Sequence, residues 1–363
     1  MLDIEKIDTE IKSQVRRFVH LPHRLYQDCP QWVPLINIDA YAYLNRKKHP
    51  FHEHSDVDFF LAVRDGKDVG RIAVIENKPY NEYHNTKKAN FYFFECEDDI
   101  QSATALFDAA FEWARSRGLN EIVGPKGMGP LDGYGILVRG HDLRNTMTML
   151  NYNHAYYQSL VEAQGFDKEV DFVSCFLPAD KFKIPERVER ITQRVMQRGG
   201  LGIKKFRNKK ELVSWAPRIG KAYNKAFVNN WEYYPLSQRE IDFVVDNIMT
   251  IADHRLIKIV THGTDVVGFL FAFHDISAAL QRSKGHLIPF GIIDILLELK
   301  RTDTVSVNGM GILPEFQGHG GNAVLYSEMG HSLLEFKQFK HVEMTQVAES
   351  AGQMRADLKN LNG

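Results

Sequence analysis

One plan of strands and helices is written twice along this 363-residue chain, and that repetition limits what it can fold into. Asp58-Phe-Phe-Leu-Ala-Val and the run from Asp68 to Ile75 are apolar stretches joined by the turn Arg64-Asp-Gly-Lys, which predicts a β-hairpin. Leu256-Ile-Lys-Ile-Val and the run from Asp265 to Phe273, joined by His262-Gly-Thr, predict a second. Gly70 and Gly268 sit inside the two returning runs, 198 positions apart (268 − 70). A second pair of features keeps nearly that offset. Tyr156 to Gly165 reads as a helix stopped by glycine, and Met354 to Asn362 as a similar helix stopped by Asn362-Gly363. From Gly165 to Asn362 is 197 positions (362 − 165), so the two offsets together predict a duplication.

Each copy reads helix, helix, hairpin, strand, helix, strand, helix. In the first, Asn90-Phe-Tyr-Phe-Phe-Glu-Cys is a strand, and Ile100 to Arg117 is a helix with Ala105, Leu106, Ala109 and Trp113 at helical spacing. The second copy inserts Leu280 to Thr304 after its hairpin, and the first carries its own excess, the irregular glycine-rich stretch Gly124 to Leu150. The late strand–helix alternation predicts an α/β fold, α+β in character, with mixed sheets flanked by helices. The prolines Pro178 and Pro185 mark the expected boundary, giving domains 1–180 and 181–363. A strand at Glu169-Val-Asp-Phe-Val-Ser-Cys-Phe-Leu follows the first copy, and the second stops at Gly363 without one. Its sheet is then incomplete, or completed by another segment, or continued in a longer natural chain.

A chain of this length is comfortable as two domains. Its formal net charge of −1 argues against nucleic-acid binding and against aminoacyl-tRNA as a donor. Cys29, Cys96 and Cys175 are far apart and fit reduced thiols in a cytoplasmic protein. The start Met1-Leu-Asp-Ile-Glu-Lys alternates charged and apolar residues, which no signal peptide does. The most apolar segment, Leu287 to Leu297, is too short to span a bilayer, so no integral membrane segment is expected. No metal site is expected either, because His20 with His23 and His52 with His54 stand in irregular polar stretches.

The informative stretch is Thr304-Val-Ser-Val-Asn-Gly-Met-Gly-Ile-Leu-Pro-Glu-Phe-Gln-Gly-His-Gly-Gly-Asn-Ala-Val-Leu-Tyr. Val305 to Ile312 reads as a strand whose interior glycines, Gly309 and Gly311, mark a bulge or a close approach to the backbone. Then come Gln317, Gly318, His319, Gly320, Gly321 and Asn322, and at once a helix with Leu325, Met329 and Leu333 on one face. Strand, glycine turn and helix N-terminus together can hold phosphates, because successive N–H groups and the helix dipole converge there.

This stretch resembles the signature of the GNAT acyl-CoA N-acyltransferases, with Gln317 and Gly320 in matching positions and Asn322 where Gly or Ala is usual. The two-copy layout resembles tandem GNAT proteins. Gly124-Pro, Gly135-Ile-Leu-Val, Tyr152-Asn-His-Ala-Tyr-Tyr and Asn230-Trp-Glu-Tyr-Tyr-Pro are similar to one bacterial family of them. The resemblance implies acetyl-CoA or a longer acyl-CoA as co-substrate. Its pantetheine arm would pair along the strand at Val307, Gly309, Gly311 and Ile312, with pyrophosphate on Gln317 to Asn322. Backbone groups of that strand, with Asn308, would then stabilise the oxyanion as an amine attacks directly. The first copy has Glu95-Cys-Glu-Asp-Asp at the corresponding place, which repels phosphates, so it is expected to be a structural or substrate-shaping partner.

The usual acid of such proteins, a tyrosine on the last helix, falls near Leu358, with Gln353, Arg355 and Asp357 as stand-ins. His274 and Asp275, at the end of a strand, are the candidate proton acceptors. A surface or hydrogen-bonded histidine is the commoner case. Asn230, Trp231, Tyr233 and Tyr234 join two predicted helices and either wall the acceptor pocket or pack as a surface loop. The insertion Gly285 to Lys300 covers an acyl chain, meets a membrane surface, or fills the seam between domains, the last being favoured. Arg187, Arg190, Arg194 and Arg198 line one face of a helix and are expected to be solvated. The chain is thus expected to acylate a small-molecule or lipid amine. The alternative is a non-catalytic module that binds CoA or a lipid.

Overall fold

Both hairpins form, and they carry the same irregularity. In the computed structural model, which describes residues 1–146, 150–179 and 183–360, each returning strand skips one residue just before its glycine. Ala62 pairs with Gly70 and Val63 with Asp68, leaving out Val69; Val260 pairs with Gly268 and Thr261 with Val266, leaving out Val267. A β-carbon on Gly70 would lie 2.8 Å from Leu106 Cδ1, and one on Gly268 2.3 Å from Ile312 Cδ1. The chain divides into two compact units, one of 1–171 with 276–298, the other of 172–275 with 299–363.

The first unit begins with β1 (Leu2–Lys6), α1 (Lys12–Leu25) and α2 (Asn37–Leu44). The hairpin β2 (Asp56–Arg64) and β3 (Lys67–Glu76) follows, then α3 (Lys78–His84) and β4 (Lys88–Cys96). Next are α4 (Ile100–Ser116), β5 (Glu121–Val123) and α5 (Tyr156–Glu162). The sheet order is β1-β2-β3-β4-β5, antiparallel except for β4 with β5. Its strands are apolar on both faces because both are covered. Phe60, Ala62, Ile72 and Val74 pack with α4 and α5, while Phe59, Leu61, Ala73 and Ile75 pack with α1. The alternating start of the chain is β1, a strand that was not expected from the sequence. The buried face of α4 is Ala103, Leu106, Phe107, Ala110 and Trp113; Ala105 and Ala109 are only half-buried.

The second unit runs β6 (Phe172–Pro178), α6 (Glu186–Arg198), β7 (Gly202–Lys204), α7 (Lys209–Ala226) and α8 (Gln238–Ile251). It continues with β8 (Ile257–His262) and β9 (Asp265–His274). The insertion then supplies α9 (Ser277–Ser283) and α10 (Gly291–Arg301), and residues 276–298 count with the first unit. The second unit resumes with β10 (Thr304–Ile312), α11 (Gly321–Phe336), β11 (His341–Ala348) and α12 (Gly352–Asn360). The helix stop expected at Asn362-Gly363 lies outside the described residues. Leu325, Met329 and Leu333 are buried as their spacing predicts.

The second sheet has the order β6-β11-β10-β9-β8-β7. This corrects the reading of Glu169–Leu177 as a strand of the first copy. β6 lies antiparallel to β11, with Leu177 opposite Val342 and Cys175 opposite Met344. The chain boundary therefore falls at 171/172, because an unpaired edge on β11 is filled by the segment that precedes the second copy. The native Cys175 makes this register testable. Oxidised Met344→Cys protein is expected to hold a disulfide between Cys175 and the introduced thiol in non-reducing peptide maps; Cys175 recovered as a free thiol refutes the pairing.

Candidate functional site

The parallel pair β10–β11 lasts only from Thr304 with His341 to Val307 with Met344. Beyond it the two strands part. β10 bulges against β9 between Val307 and Met310, where Gly309 has φ +93° and Asn308 is buried. β11 meanwhile keeps pairing with β6 after its own shift between Met344 and Val347. Among the described residues, Asn308 to Ile312 thereby have no partner strand on the β11 side, an opening an extended ligand could enter by strand-like pairing. Gly309 answers to backbone geometry, since its φ is left-handed. Gly311 answers to packing instead: a β-carbon there would lie 2.8 Å from the Phe269 ring and 2.9 Å from Ala226.

At the far end of β10 the chain turns tightly. Leu313 N donates to Val267 O, and Pro314–Phe316 forms a short 3-10 turn. Gln317 Nε2 donates to Ile312 O at 3.2 Å, so this side chain straps the turn to its own strand. Gly318 and Gly320 adopt φ +78° and +85°. A β-carbon on Gly320 would lie 2.7 Å from Val195 Cγ2 on α6, and one on Gly321 3.0 Å from Ile312 Cδ1. The turn thus packs tightly behind and presents Gln317, Gly318 and His319 to solvent. α11 starts immediately after it, with no acidic residue in its first turn. Arg187, Arg190, Arg194 and Arg198 are all exposed on α6, as expected of a solvated face.

The first unit repeats the parting strands and fills the place with other chemistry. β4 and β5 pair only from Lys88 with Glu121 to Asn90 with Val123. β4 then bulges against β3 between Arg71 and Ala73, and Phe93 takes φ +50°, a strained value for an aromatic residue. A cavity of about 110 Å³ lies here, lined among others by Phe18, His23, Trp32, Arg71, Phe93 and Glu95. Arg71 is buried between the rings of Phe18 and Phe93, 5.0 and 5.1 Å from their centroids. It donates to Phe18 O at 2.7 Å and stands 3.6 Å from Glu95 Oε1, while its Nε finds no acceptor among the described residues. Glu95 accepts from Tyr26 Oη at 2.6 Å and from Tyr157 Oη at 2.9 Å. Burial pushes its carboxyl up, against the pull of Arg71 and the two hydroxyls. Burial also lowers His23, to about 4, with His20 adding to the effect.

No protein-family model matches the chain. A solved tandem GNAT protein from the clavulanic acid biosynthesis pathway aligns with all of it and with 94% of its own length, at a TM-score of 0.56 and 12% identity. The chain has the tandem GNAT fold. A GCN5-related glucosamine N-acetyltransferase region of a fungal β-N-acetylglucosaminidase also aligns, over 96% of this chain and 35% of its own, at a TM-score of 0.51 and 12% identity. In sequence, the bacterial ceramide synthase of Caulobacter vibrioides is 27% identical over 322 residues, 87% of this chain and 82% of the relative. Protein YghO of Escherichia coli is 24% identical over 308 residues, 84% and 78%.

Of the expected residues, the GNAT fold brings Val307, Asn308, Gly309, Gly311 and Ile312 together with Gln317, Gly318, His319, Gly320, Gly321 and Asn322 along one strand and the turn after it. His274 and Asp275 lie elsewhere. His274 pairs with Val305, whereas Gly268 pairs with Ile312 beside the turn, six residues along β9 and roughly 20 Å away at about 3.3 Å per residue. The His274 ring is buried against Phe336 and Phe339, with Nε2 3.6 Å from Asp253. Burial pushes Asp253 up, but bonds from His274 and Arg255 outweigh it and hold the carboxyl far below its ordinary value. Asp275 is buried, and its N–H donates to Thr304 O.

The aromatic loop between α7 and α8 is largely tied to the elements around it. Tyr233 Oη donates to Asn224 O at 2.6 Å, Tyr234 Oη to Glu240 at 2.9 Å, and Trp231 packs on Phe172; Asn230 is exposed. Leu358 is buried and Arg355 binds Glu349 O, while the side chains of Gln353 and Asp357 lie outside the described residues. Among the described residues no cluster of His, Cys, Asp or Glu could hold a metal.

Sequence reading missed Tyr26, Arg71, Tyr157 and His23. A signal existed: Arg71 and Glu95 each interrupt an apolar run, and they are direct cross-strand partners. The lowered His23 makes a stability prediction. As pH falls from 6.5 toward about 4 the unfolded chain takes up this proton and the folded one does not, so stability is lost across that window. His23→Gln is expected to flatten this part of the pH dependence in urea titrations; an unchanged slope means that His23 titrates normally.

Proposed function

We propose that the second unit binds acyl-CoA and that the protein transfers its acyl group to an amine of lipid character. The observation that carries the reading is the opening between β10 and β11 ending in the turn at Gln317–Asn322. Pantetheine would extend along Asn308–Ile312, with pyrophosphate over Gly318, His319 and the first turn of α11. The amine nitrogen attacks the thioester carbonyl carbon, the C–S bond breaks, and the CoA thiolate leaves with the proton that the amine gives up. Backbone groups between Val307 and Gly311 would polarise the carbonyl oxygen, an effect largest where water is excluded.

Asn308, buried at the bulge, would help to orient that carbonyl. No protein nucleophile is needed, and His274, held by Asp253, is assigned a structural role. The acceptor class is supported by the relative named a bacterial ceramide synthase, a ceramide being an N-acylated lipid amine. We assign the first unit a substrate-shaping role, supported by its cavity and the buried Arg71–Glu95 pair. Among the described residues no helix is long and apolar enough to cross a membrane.

His319 is the position for a test, because it is exposed, whereas any side chain at Gly320 would collide with Val195. In calorimetric titration with acetyl-, octanoyl- and palmitoyl-CoA, saturable binding is expected for at least one. His319→Glu, which sets an anion beside the pyrophosphate, is expected to weaken it about tenfold or more, roughly 1.4 kcal/mol. Unchanged affinity in a folded variant removes the turn from the binding site. Binding without amide formation, with long-chain amines supplied, favours a non-catalytic CoA-binding module.

A further inference from the structure

α10 ties its two acids to a neighbouring helix and turns its hydrocarbon outward. Asp294 and Glu298, one helical turn apart, both reach Arg282 of α9: Arg282 Nε and Nη2 donate to Asp294 at 2.9 Å each, and Nη2 also bonds Glu298. Glu298 is buried. On the opposite face, Ile292, Ile293, Leu296 and Leu297 are 48, 55, 57 and 41% exposed. In the turn just before, Ile288 and Phe290 are 74 and 75% exposed. A helix selected to lie against water shows the reverse polarity. Six large apolar side chains within residues 288–297 make a contiguous patch of the kind that marks an interaction surface.

The charges around the patch identify its occupant. Lys284 precedes it, and Lys300 and Arg301 close α10; all three are exposed, and none has an ion-pair partner among the described residues. Lys300 follows Leu296 by four residues and Ile293 by seven, so the helical repeat puts it at the end of the apolar face. Both acids of α10 are tied to Arg282, which leaves the outward side hydrophobic at its centre and cationic at its ends. Apolar side chains entering the acyl region while lysine and arginine stay at the phosphates is the arrangement of an interfacial helix on an anionic bilayer. A second copy of the chain fits less well, because a two-fold contact would set the cationic ends of both patches in one interface. At 11 residues α10 is too short to cross a membrane and suits lying along its surface.

We propose that the outward face of α10, with Ile288 and Phe290, docks the protein on an anionic phospholipid bilayer. This does not rest on the acyl-transfer reading, and its test uses no CoA. Full-length protein is sedimented with vesicles of phosphatidylcholine alone or mixed with phosphatidylglycerol. Binding to the mixed vesicles is expected, about tenfold or more weaker on phosphatidylcholine alone and in high salt. Phe290→Ser with Leu296→Ser is expected to reduce partitioning at least about tenfold, with an unchanged thermal melt because both side chains face solvent. Lys300→Glu with Arg301→Glu is expected to abolish the preference for anionic lipid. Equal sedimentation of wild type and the Phe290/Leu296 variant overturns the proposal. So does a failure to bind vesicles by wild type, whether monomeric or held in a dimer that Phe290→Ser dissolves.

Discussion

The four-residue limit of the β10–β11 pair is the constraint on which the second unit is arranged. Two parallel strands that stayed paired to the end would satisfy each other's backbone groups and leave nothing for a ligand to join. The parting needs a cause on each strand. On β10 it is the bulge at Gly309; on β11 it is β6, which takes up the other edge and carries β11 away with it. The turn after β10 then begins where the opening ends, so opening and helix N-terminus follow one another along a single stretch of chain. Packing behind the turn is tight at Gly320 and Gly321, which fixes the loop from inside while its outer edge stays free.

The first unit uses the same parting of strands to a different end. Its bulge is held at Phe93 without a glycine, and the strain of that residue is sustained by packing against Phe18, Tyr43 and Tyr92. Where the second unit sets Phe269 opposite Gly311, the first sets a buried Arg71 opposite a buried Glu95. Glu95 and Arg71 must both be desolvated, and two tyrosine hydroxyls, a backbone carbonyl and two aromatic faces share the cost. Duplicated backbone geometry has been given different chemistry: an aromatic ring opposite a glycine in one unit, a buried acid opposite a buried base in the other.

Much of this was legible residue by residue. The hairpins at Gly70 and Gly268, the bulge glycine at position 309 and the turn from Gln317 to Asn322 all announce themselves through local demands. These are a period of two, a φ that only glycine adopts cheaply, and a helix that starts at once. Gln317 was legible in place but not in purpose, because its bond to Ile312 O is set by the closure of the turn. His274 was legible in place but not in its surroundings. A histidine at a strand end reads the same whether it faces a cleft or, as here, lies among Phe336, Phe339 and Asp253, contributed by other elements.

By itself, then, the sequence determined the repeat, the type of its main strands and helices and the position of the glycine turn, since each follows from the preferences of a few adjacent residues. Tertiary structure decided which sheet residues 172–178 complete, that Arg71 and Glu95 face each other across neighbouring strands, and that α10 shows its hydrocarbon to the outside. Those outcomes depend on pairing between distant strands and on which side of an element loses its water. The chain's local pattern is compatible with either side; the contacts made on folding choose between them.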